Sequence, residues 1–350
     1  MVGTPGASWR MVAPLTAAQI GERELLARIL QRLPPIPSSV LVGPGDDAAV
    51  LAPERNERLV VTTDAVVENV HFSRAYSRPH DIGHRALAVN LSDLAAMGAV
   101  PRWATLSLIL PGTVVVEDLE ALVDGVAALA VQHHLAVIGG NISRTDGPLV
   151  VDITAGGSVP PRRWLTRSGA RAGHDIWLSG TIGAAAAGWE MLDQGSGIGE
   201  QRAADACIAR HRRPEPRVRL GIAISRARVA KAAMDLSDGL ADALRQVAAA
   251  SGVGVRIDAD SLPIDPGARE WWTGRRVDPV SAALIGGDDY ELLFAVPPKS
   301  GRALRAVARQ VADPPLTKIG EFTKDHTELV LVRGAVAEEL PDGYQHFSRR

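Results

Sequence analysis

Five short segments set aspartate among glycine, serine and threonine. They are Gly43-Pro44-Gly45-Asp46-Asp47, Thr62-Thr63-Asp64, Asn90-Leu91-Ser92-Asp93, Asp235-Leu236-Ser237-Asp238-Gly239 and Gly286-Gly287-Asp288-Asp289-Tyr290. Like charges such as Asp46–Asp47 and Asp288–Asp289 repel when brought together, and a shared hard cation resolves the conflict. Magnesium suits such a set, because it takes carboxylate and water oxygens and keeps phosphate as a further ligand. Thr62, Thr63 and Ser237 add hydroxyl oxygens. A single aspartate in a turn is more often an Asx-turn or a helix cap. Five such motifs beside apolar elements favour a metal and phosphate site.

Other residues widen the choice. Gly139-Gly140-Asn141 follows an apolar run, where bare backbone lets amides approach a phosphate; the alternative is a tight turn. Arg167 lies in Leu165-Thr166-Arg167-Ser168-Gly169, and arginine is the bidentate partner of phosphate. His71 has no second His or Cys at metal-ligand spacing. Cys207 reads as a core residue of a helix rather than a nucleophile.

The elements that position these groups alternate helix and strand. Thr16 and Gln19 form a capping box before an amphipathic helix that Pro34-Pro35 stops. Strands are expected at 48–51, 59–63, 103–110, 135–138 and 149–155, with helices at 81–97 and 118–133. Gly156 to Arg163 combines glycine, proline and charge, as a boundary does. Beyond it, strands are expected at 175–179, 231–236, 253–257, 290–296, 316–319 and 329–332. The helices there fall near 184–192, 202–210, 217–226, 239–250 and 302–311. Both halves mix the two types, so the class is α/β or α+β. The expected division is a loose leader over 1–15, an α/β domain over 16–157 and a second over 158–350.

A length of 350 residues fits about two domains. Lys+Arg 38 against Asp+Glu 40 argues against a basic nucleic-acid binder. No apolar run approaches a membrane span, and the first ten residues lack the order of a signal peptide. The expectation is a cytoplasmic protein. Lys231, Lys299, Lys318 and Lys324 are the only lysines, and neither a P-loop nor a protein-kinase lysine motif is present. Arginine or metal must therefore supply the positive charge for any phosphate.

Together the segments GPGDDAAV (43–50), TTDAVVENVHF (62–72), ALAVNLSDLAAMGAVP (86–101), IGGNISR (138–144), LTRSGARAGHDIWLSGTIG (165–183), MDLSDGLADAL (234–244), GGDDYELLF (286–294) and GYQHF (343–347) cover nearly the whole chain after residue 16. The pattern resembles the thiamine-monophosphate kinases, of the superfamily that includes aminoimidazole-ribonucleotide synthetase and selenophosphate synthetase. The resemblance implies the two-domain fold of aminoimidazole-ribonucleotide synthetase, pairing as a homodimer through the N-terminal domain. It implies ATP as co-substrate, several Mg2+ ions, and transfer to thiamine monophosphate giving thiamine diphosphate. By the same resemblance, Asp47, Thr62, Thr63, Asp64, Asp93, Asp235 and Asp238 match magnesium-binding positions. Gly140, Asn141, Arg167 and Ser237 match ATP contacts, and His71, Asp288 and Tyr344 match substrate contacts. Many members carry Asp at the position of Asn141 and Glu at that of Asp288. No dedicated catalytic acid or base is implied. Nor is a nucleic-acid or membrane partner.

A selenophosphate synthetase needs a reactive Cys or selenocysteine in its N-terminal segment, and no cysteine precedes Cys207. A hydrogenase-maturation relative needs a C-terminal cysteine, where this chain reads His346-Phe347-Ser348-Arg349-Arg350. A rival of another class is a magnesium–nucleotide sensor that binds ATP without turning it over.

Overall fold

The computed structural model describes residues 14–44, 48–52, 54–194 and 201–343. The chain opens with helices α1 (Ala17–Ile20) and α2 (Glu22–Arg32), then short strands β1 (Val40–Val42) and β2 (Val50–Leu51). Strand β3 (Arg58–Val67), helix α3 (Pro79–Ala96), β4 (Val100–Pro111), α4 (Val116–Gln132), β5 (Ala136–Thr145) and β6 (Val150–Val159) follow. The second half runs β7 (Asp175–Ser179), α5 (Ala184–Asp193), α6 (Gln201–Arg212), α7 (Val218–Ala227), β8 (Ala232–Asp235) and α8 (Leu240–Ser251). It ends with β9 (Gly254–Asp258), α9 (Pro266–Gly274), α10 (Pro279–Ile285), β10 (Leu292–Val296), α11 (Gly301–Val311), β11 (Leu316–Thr323), β12 (Leu329–Arg333) and β13 (Val336–Glu339).

Among the described residues, one sheet has the order β3-β6-β4-β5 and a larger one β13-β12-β9-β11-β7-β10-β8. In the first, only β4 and β5 pair parallel. In the second, β9 and β12 pair parallel and the other neighbours antiparallel. This is the mixed α/β architecture expected of the sequence. The helix read from the capping box breaks at Gly21 (φ 80°), which separates α1 from α2. The capping box itself forms: the Thr16 N–H donates to Gln19 Oε1 at 2.9 Å.

Helix α3 is the hub. Pro79 starts it without losing a needed N–H. Nearly all of its side chains from Asp81 onward are buried, since it packs on α4, α7, β3, β6 and β8. Gly83 of α3 faces the Leu122 carbonyl, and Gly125 of α4 faces the His80 carbonyl. A Cβ at either position would overlap backbone, so the two helices approach only because both are glycine. Gly125→Ala is expected to destabilise by about 1–3 kcal/mol through overpacking. A thermal melt unchanged from wild type would show that the helices part freely.

Strands β8 and β10 of the larger sheet are buried on both sides. Leu292, Phe294 and Val296 of β10 join the core around α3, α4, α7 and α11. Leu293 and Ala295 join the core of α5, α8 and α9 on the opposite face. The period of two along a strand explains this division. A continuous apolar run, LLFAV, is what a strand covered on both faces requires.

Candidate active site

Strand β3 lies at the edge of its sheet, and its side chains alternate. The Thr62 hydroxyl donates to Asp93 Oδ2 on α3, and Val66 is in the core. Thr62, Asp64 and Val66 therefore share the helix-facing side. Thr63 turns to the other face, where its hydroxyl lies 3.4 Å from Asp152 Oδ1 and 3.0 Å from the Thr154 hydroxyl on β6. The Thr62-Thr63-Asp64 triplet thus straddles the sheet edge.

On the helix side, α3 brings Ser92 and Asp93 against the end of β8. The Ser92 hydroxyl donates to Asp235 Oδ2 at 2.7 Å. A cavity of about 240 Å³ opens here, lined by Thr62, Asp93, Met97, Arg167 and Asp235 among others. Arg167 donates to Gln246 Oε1 of α8, and its charge acts on Asp93. Burial and the neighbouring charges of Asp93, Asp152 and Asp238 push the Asp64 carboxyl up to about 6. The residue keeps an exposed flank, so solvent screens part of that repulsion. Asp235 is buried, and burial with the Asp93 charge pushes it up to about 7. Burial also raises Asp93, against the Thr62 hydrogen bond and Arg167.

These donors are all oxygen, and their charges conflict, which fits a hard cation. Among the described residues no three carboxylate, imidazole or thiol groups already form a metal-holding group. Asp93 and Asp235 line a cavity wall instead of forming one chelate. That suits ions that keep water and phosphate in their shells.

The Asp235-Leu236-Ser237-Asp238 loop is clasped to the later acidic loop. The Asp288 N–H donates to the Ser237 carbonyl at 2.8 Å and the Tyr290 N–H to the Leu236 carbonyl at 2.9 Å. The Asp288–Asp289 pair does not share a cation, contrary to the reading from sequence. Asp288 (φ 69°) turns to α3, where Arg85 Nη2 donates to its Oδ1 at 2.7 Å. Asp289 turns the other way and caps α5, accepting from the Gly183 N–H at 2.7 Å and the Ala185 N–H at 3.3 Å. Burial still lifts Asp289 to about 7. Glu291, fully buried, accepts from Arg210, Arg217 and the Ser179 hydroxyl. Protein groups thus resolve the charge conflict in this motif.

His71 lies in the turn after β3, with its Nδ1 accepting from the Val67 N–H at 3.1 Å. The neutral ring therefore carries its proton on Nε2. His71, Arg85 and His211 line one cleft, which brings His71 and Asp288 into one neighbourhood through Arg85. From Arg85 to Asp93 is eight residues of α3, about 12 Å.

The Gly139-Gly140-Asn141 segment is neither a tight turn nor a helix-capping loop. It lies within β5, where Gly140 opposes Leu106 and a Cβ would strike the Leu106 carbonyl. Asn141 is exposed and donates to the Ser143 hydroxyl at 2.9 Å. Cys207 is buried beside Asp265, and burial pushes its thiol up to about 12, so it is no nucleophile. Asp46, Asp47, Tyr344 and most of the 1–15 leader lie outside the described residues. Gly343, one residue before Tyr344, packs on Asp242 of α8. Sequence reasoning missed Asp152 and Arg85. The first was legible only as a charge at one position of an apolar strand, the second as a cation on a helix with no exposed face.

The chain matches the AIR synthase related protein N-terminal domain over residues 45–159 and the corresponding C-terminal domain over 171–332. It is 40% identical over 334 residues to the thiamine-monophosphate kinase of Escherichia coli K12, covering 94% of this chain and 98% of that protein. Against the Bacillus subtilis thiamine-monophosphate kinase it is 35% identical over 320 residues, covering 89% of this chain and 94% of that protein. The crystal structure of thiamine-monophosphate kinase from Stenotrophomonas maltophilia K279a superposes with a TM-score of 0.76 at 42% identity, covering 91% of this chain and 95% of that one. The structure of AaThiL complexed with AMPPCP and TMP superposes with a TM-score of 0.73 at 31% identity, covering 97% of this chain and all of that one. The hydrogenase maturation protein HypE in complex with ATP shares the fold, at 19% identity. The chain belongs to the AIR synthase related family and, within it, to the thiamine-monophosphate kinases.

Proposed function

We propose that this chain transfers the γ-phosphoryl group of ATP to the phosphate of thiamine monophosphate, giving ADP and thiamine diphosphate. The observation that carries the reading is the arrangement along α3. Asp93 lines a cavity with Asp235 and Arg167, and Arg85, the partner of Asp288, lies eight residues earlier on the same helix, about 12 Å along its axis. The similar structure of AaThiL is complexed with AMPPCP and TMP together.

Asp64, Asp93, Asp235 and Asp238, with the Thr62 and Thr63 hydroxyls and Asp47, are the residues proposed to hold magnesium. Bound magnesium would supply positive charge to the phosphates, which four lysines in the whole chain do not. Arg167 lines the cavity, and its planar fork is proposed to take a nucleotide phosphate. Gly140, Asn141 and Ser237 are the further proposed ATP contacts. The acceptor oxygen is already anionic, so the residues orient and neutralise while no general base is needed. The thiamine end is proposed to lie on His71, Asp288 and Tyr344.

The sheet face opposite α3 leaves Leu59 66% and Val61 53% exposed. An exposed apolar face of this kind marks an interaction site, and its proposed occupant is a second copy of the chain. Sedimentation of the intact protein at the mass of one chain would overturn that pairing. Among the described residues no helix is long and apolar enough to cross a membrane. The cytoplasm is the proposed place of action.

The test of the activity is ADP release measured with ATP and magnesium, with and without thiamine monophosphate. Release that depends on thiamine monophosphate is expected. ATP binding without that release supports the nucleotide sensor instead. Asp288→Ala is expected to raise KM for thiamine monophosphate about tenfold or more while changing KM for ATP little. Equal rises in both would remove Asp288 from the substrate site.

A further inference from the structure

Behind Asp288 stands a residue that no motif singles out. The Arg85 side chain is 3% exposed, against 32% for Asp288. The guanidinium is therefore the inner partner and the carboxylate the outer one. Arg85 Nη2 donates to Asp288 Oδ1 at 2.7 Å, and Nη1 donates to the His211 carbonyl at 2.6 Å. Its Nε has no hydrogen-bond partner. Such a buried, half-satisfied arginine is costly, and a purely structural role is poorly served by it.

We propose that Arg85 is a positioning residue for thiamine monophosphate: it fixes the Asp288 carboxylate from behind, with its outer side left to the substrate. The inference rests on the proposed kinase activity and adds a residue to it. The loop supplies the other constraints. The Asp288 N–H is fixed to the Ser237 carbonyl, and the Tyr290 hydroxyl donates to Asp288 Oδ1 at 3.2 Å. His211 Nδ1 lies 3.9 Å from Asp288 Oδ2 and, like the Arg85 Nε, is buried without a partner. His71, Asp81 and Arg212 complete the charged lining of the adjoining cleft. Burial alone would raise the Asp288 carboxyl, but the Arg85 charge and hydrogen bond, with the Tyr290 hydrogen bond, hold it below the usual range. His211 is pushed down to about 4 by burial and by Arg85, so it is neutral beside the pair. Arg85 is thus the formal charge that keeps Asp288 anionic. Thiamine monophosphate carries a cationic thiazolium ring, and an ionised carboxylate at this place attracts it.

The sign of the pH effect follows. In the wild type Asp288 stays ionised well below neutrality, so it contributes no acid limb to substrate binding above about pH 5. In Arg85→Met, burial is unopposed and the carboxyl protonates at higher pH. The variant-to-wild-type ratio of KM for thiamine monophosphate should then grow as pH falls from about 8 to 5. Using the ratio cancels the titration of the substrate's own phosphate.

The experiment compares wild type, Arg85→Met, Arg85→Lys, Asp288→Asn and the Arg85→Met/Asp288→Asn double variant by steady-state ADP release from pH 5 to 8. Arg85→Met is expected to raise KM for thiamine monophosphate about 10- to 100-fold at pH 7, the cost of removing one partner of a charged hydrogen bond. KM for ATP should move less than about twofold. In the double variant the pH-dependent component should vanish, and the two substitutions should cost less together than their product. Equal rises in both KM values, or a pH step that survives removal of Asp288, overturn the proposal; the latter assigns the step to His211. If Arg85→Met does not fold, Arg85→Lys decides. Its charge is kept, so no acid step appears, but one ammonium cannot bond Asp288 and the His211 carbonyl as the planar fork does. KM for thiamine monophosphate should then rise about threefold or more, and an unchanged value overturns the proposal. A wild-type protein that releases no ADP in response to thiamine monophosphate overturns the kinase reading, and this inference with it. An active wild type with insensitive Arg85 variants overturns the inference alone.

Discussion

Asp64→Asn and Asp93→Asn should each reduce turnover by about a thousandfold or more while leaving the protein folded. One lost charged ligand costs several kcal/mol at a phosphoryl centre, and both residues stand among the proposed magnesium-holding carboxylates. The accompanying stability change has a definite sign. A carboxyl raised in the folded state binds its proton more tightly there than in the unfolded chain. Its ionisation therefore costs stability as pH climbs from the unfolded value near 4 through the folded value. For Asp64 that folded value is about 6 and for Asp235 about 7. His211, lowered to about 4, contributes in the opposite sense, so wild-type curves alone are mixed. The difference between Asp64→Asn and wild type isolates the carboxylate. Without magnesium at pH 7.5, Asp64→Asn should melt about 2 °C or more above wild type. With magnesium and an ATP analogue the order should reverse, because only the wild type gains the ligand. An inactive variant that melts well below wild type in both buffers would mean that Asp64 holds the fold and not the metal. Incubation with γ-labelled ATP and magnesium alone, followed by denaturation, tests direct transfer. No covalent label is expected, since a metal-bound aspartate makes a poor nucleophile; label that can be chased into thiamine diphosphate would establish a phosphoenzyme instead.

Glu291→Ala should cost about 3–5 kcal/mol of stability, the loss expected when one partner of a buried charge network is removed. Glu291 is fully buried, and Arg217 clamps it with Nε at 2.7 Å and with Nη2. Arg210 and the Ser179 hydroxyl complete the set at 2.7 and 2.6 Å. Gly180 (φ 58°) leaves the room this carboxylate occupies. Truncation leaves the Arg217 guanidinium, which is only 8% exposed, with Glu215 at 3.3 Å as its remaining carboxylate partner. Chemical denaturation reads the effect. A loss under about 1 kcal/mol would mean that water reaches Arg217 in the variant. Any residual folded Glu291→Ala should keep its dependence on thiamine monophosphate, because Glu291 faces α6 and α7 and not the cavity.

Sequence by itself determined much of the local structure. The strand at 175–179 and the helices near 184–192 and 217–226 lie within one residue of the observed elements. Apolar periodicity and glycine or proline stops are local signals, and those segments carry them. It also determined the acidic motifs and the family. Asp93 and Asp235, far apart in the chain, do line one cavity, and Asp64 lies near enough for its charge to act on Asp235. The strands at 135–138 and 149–155 were cut short, because Gly139-Gly140 and Gly156-Gly157 read as breaks. In the fold those glycines admit the Leu106 carbonyl and the Trp103 ring, so β5 and β6 continue through them. Short helices such as α9 and α10 carry too few turns for their period to stand out. Only the tertiary structure decided the roles of identical residue types. Asp288 and Asp289 are neighbours in sequence, yet one meets Arg85 and the other caps α5. Thr62 and Thr63 take opposite faces of an edge strand, Thr62 meeting Asp93 and Thr63 meeting Asp152 of β6. A carboxylate's chemistry is set by the charges and donors around it. Those come from elements dozens to hundreds of residues away, which no local pattern records.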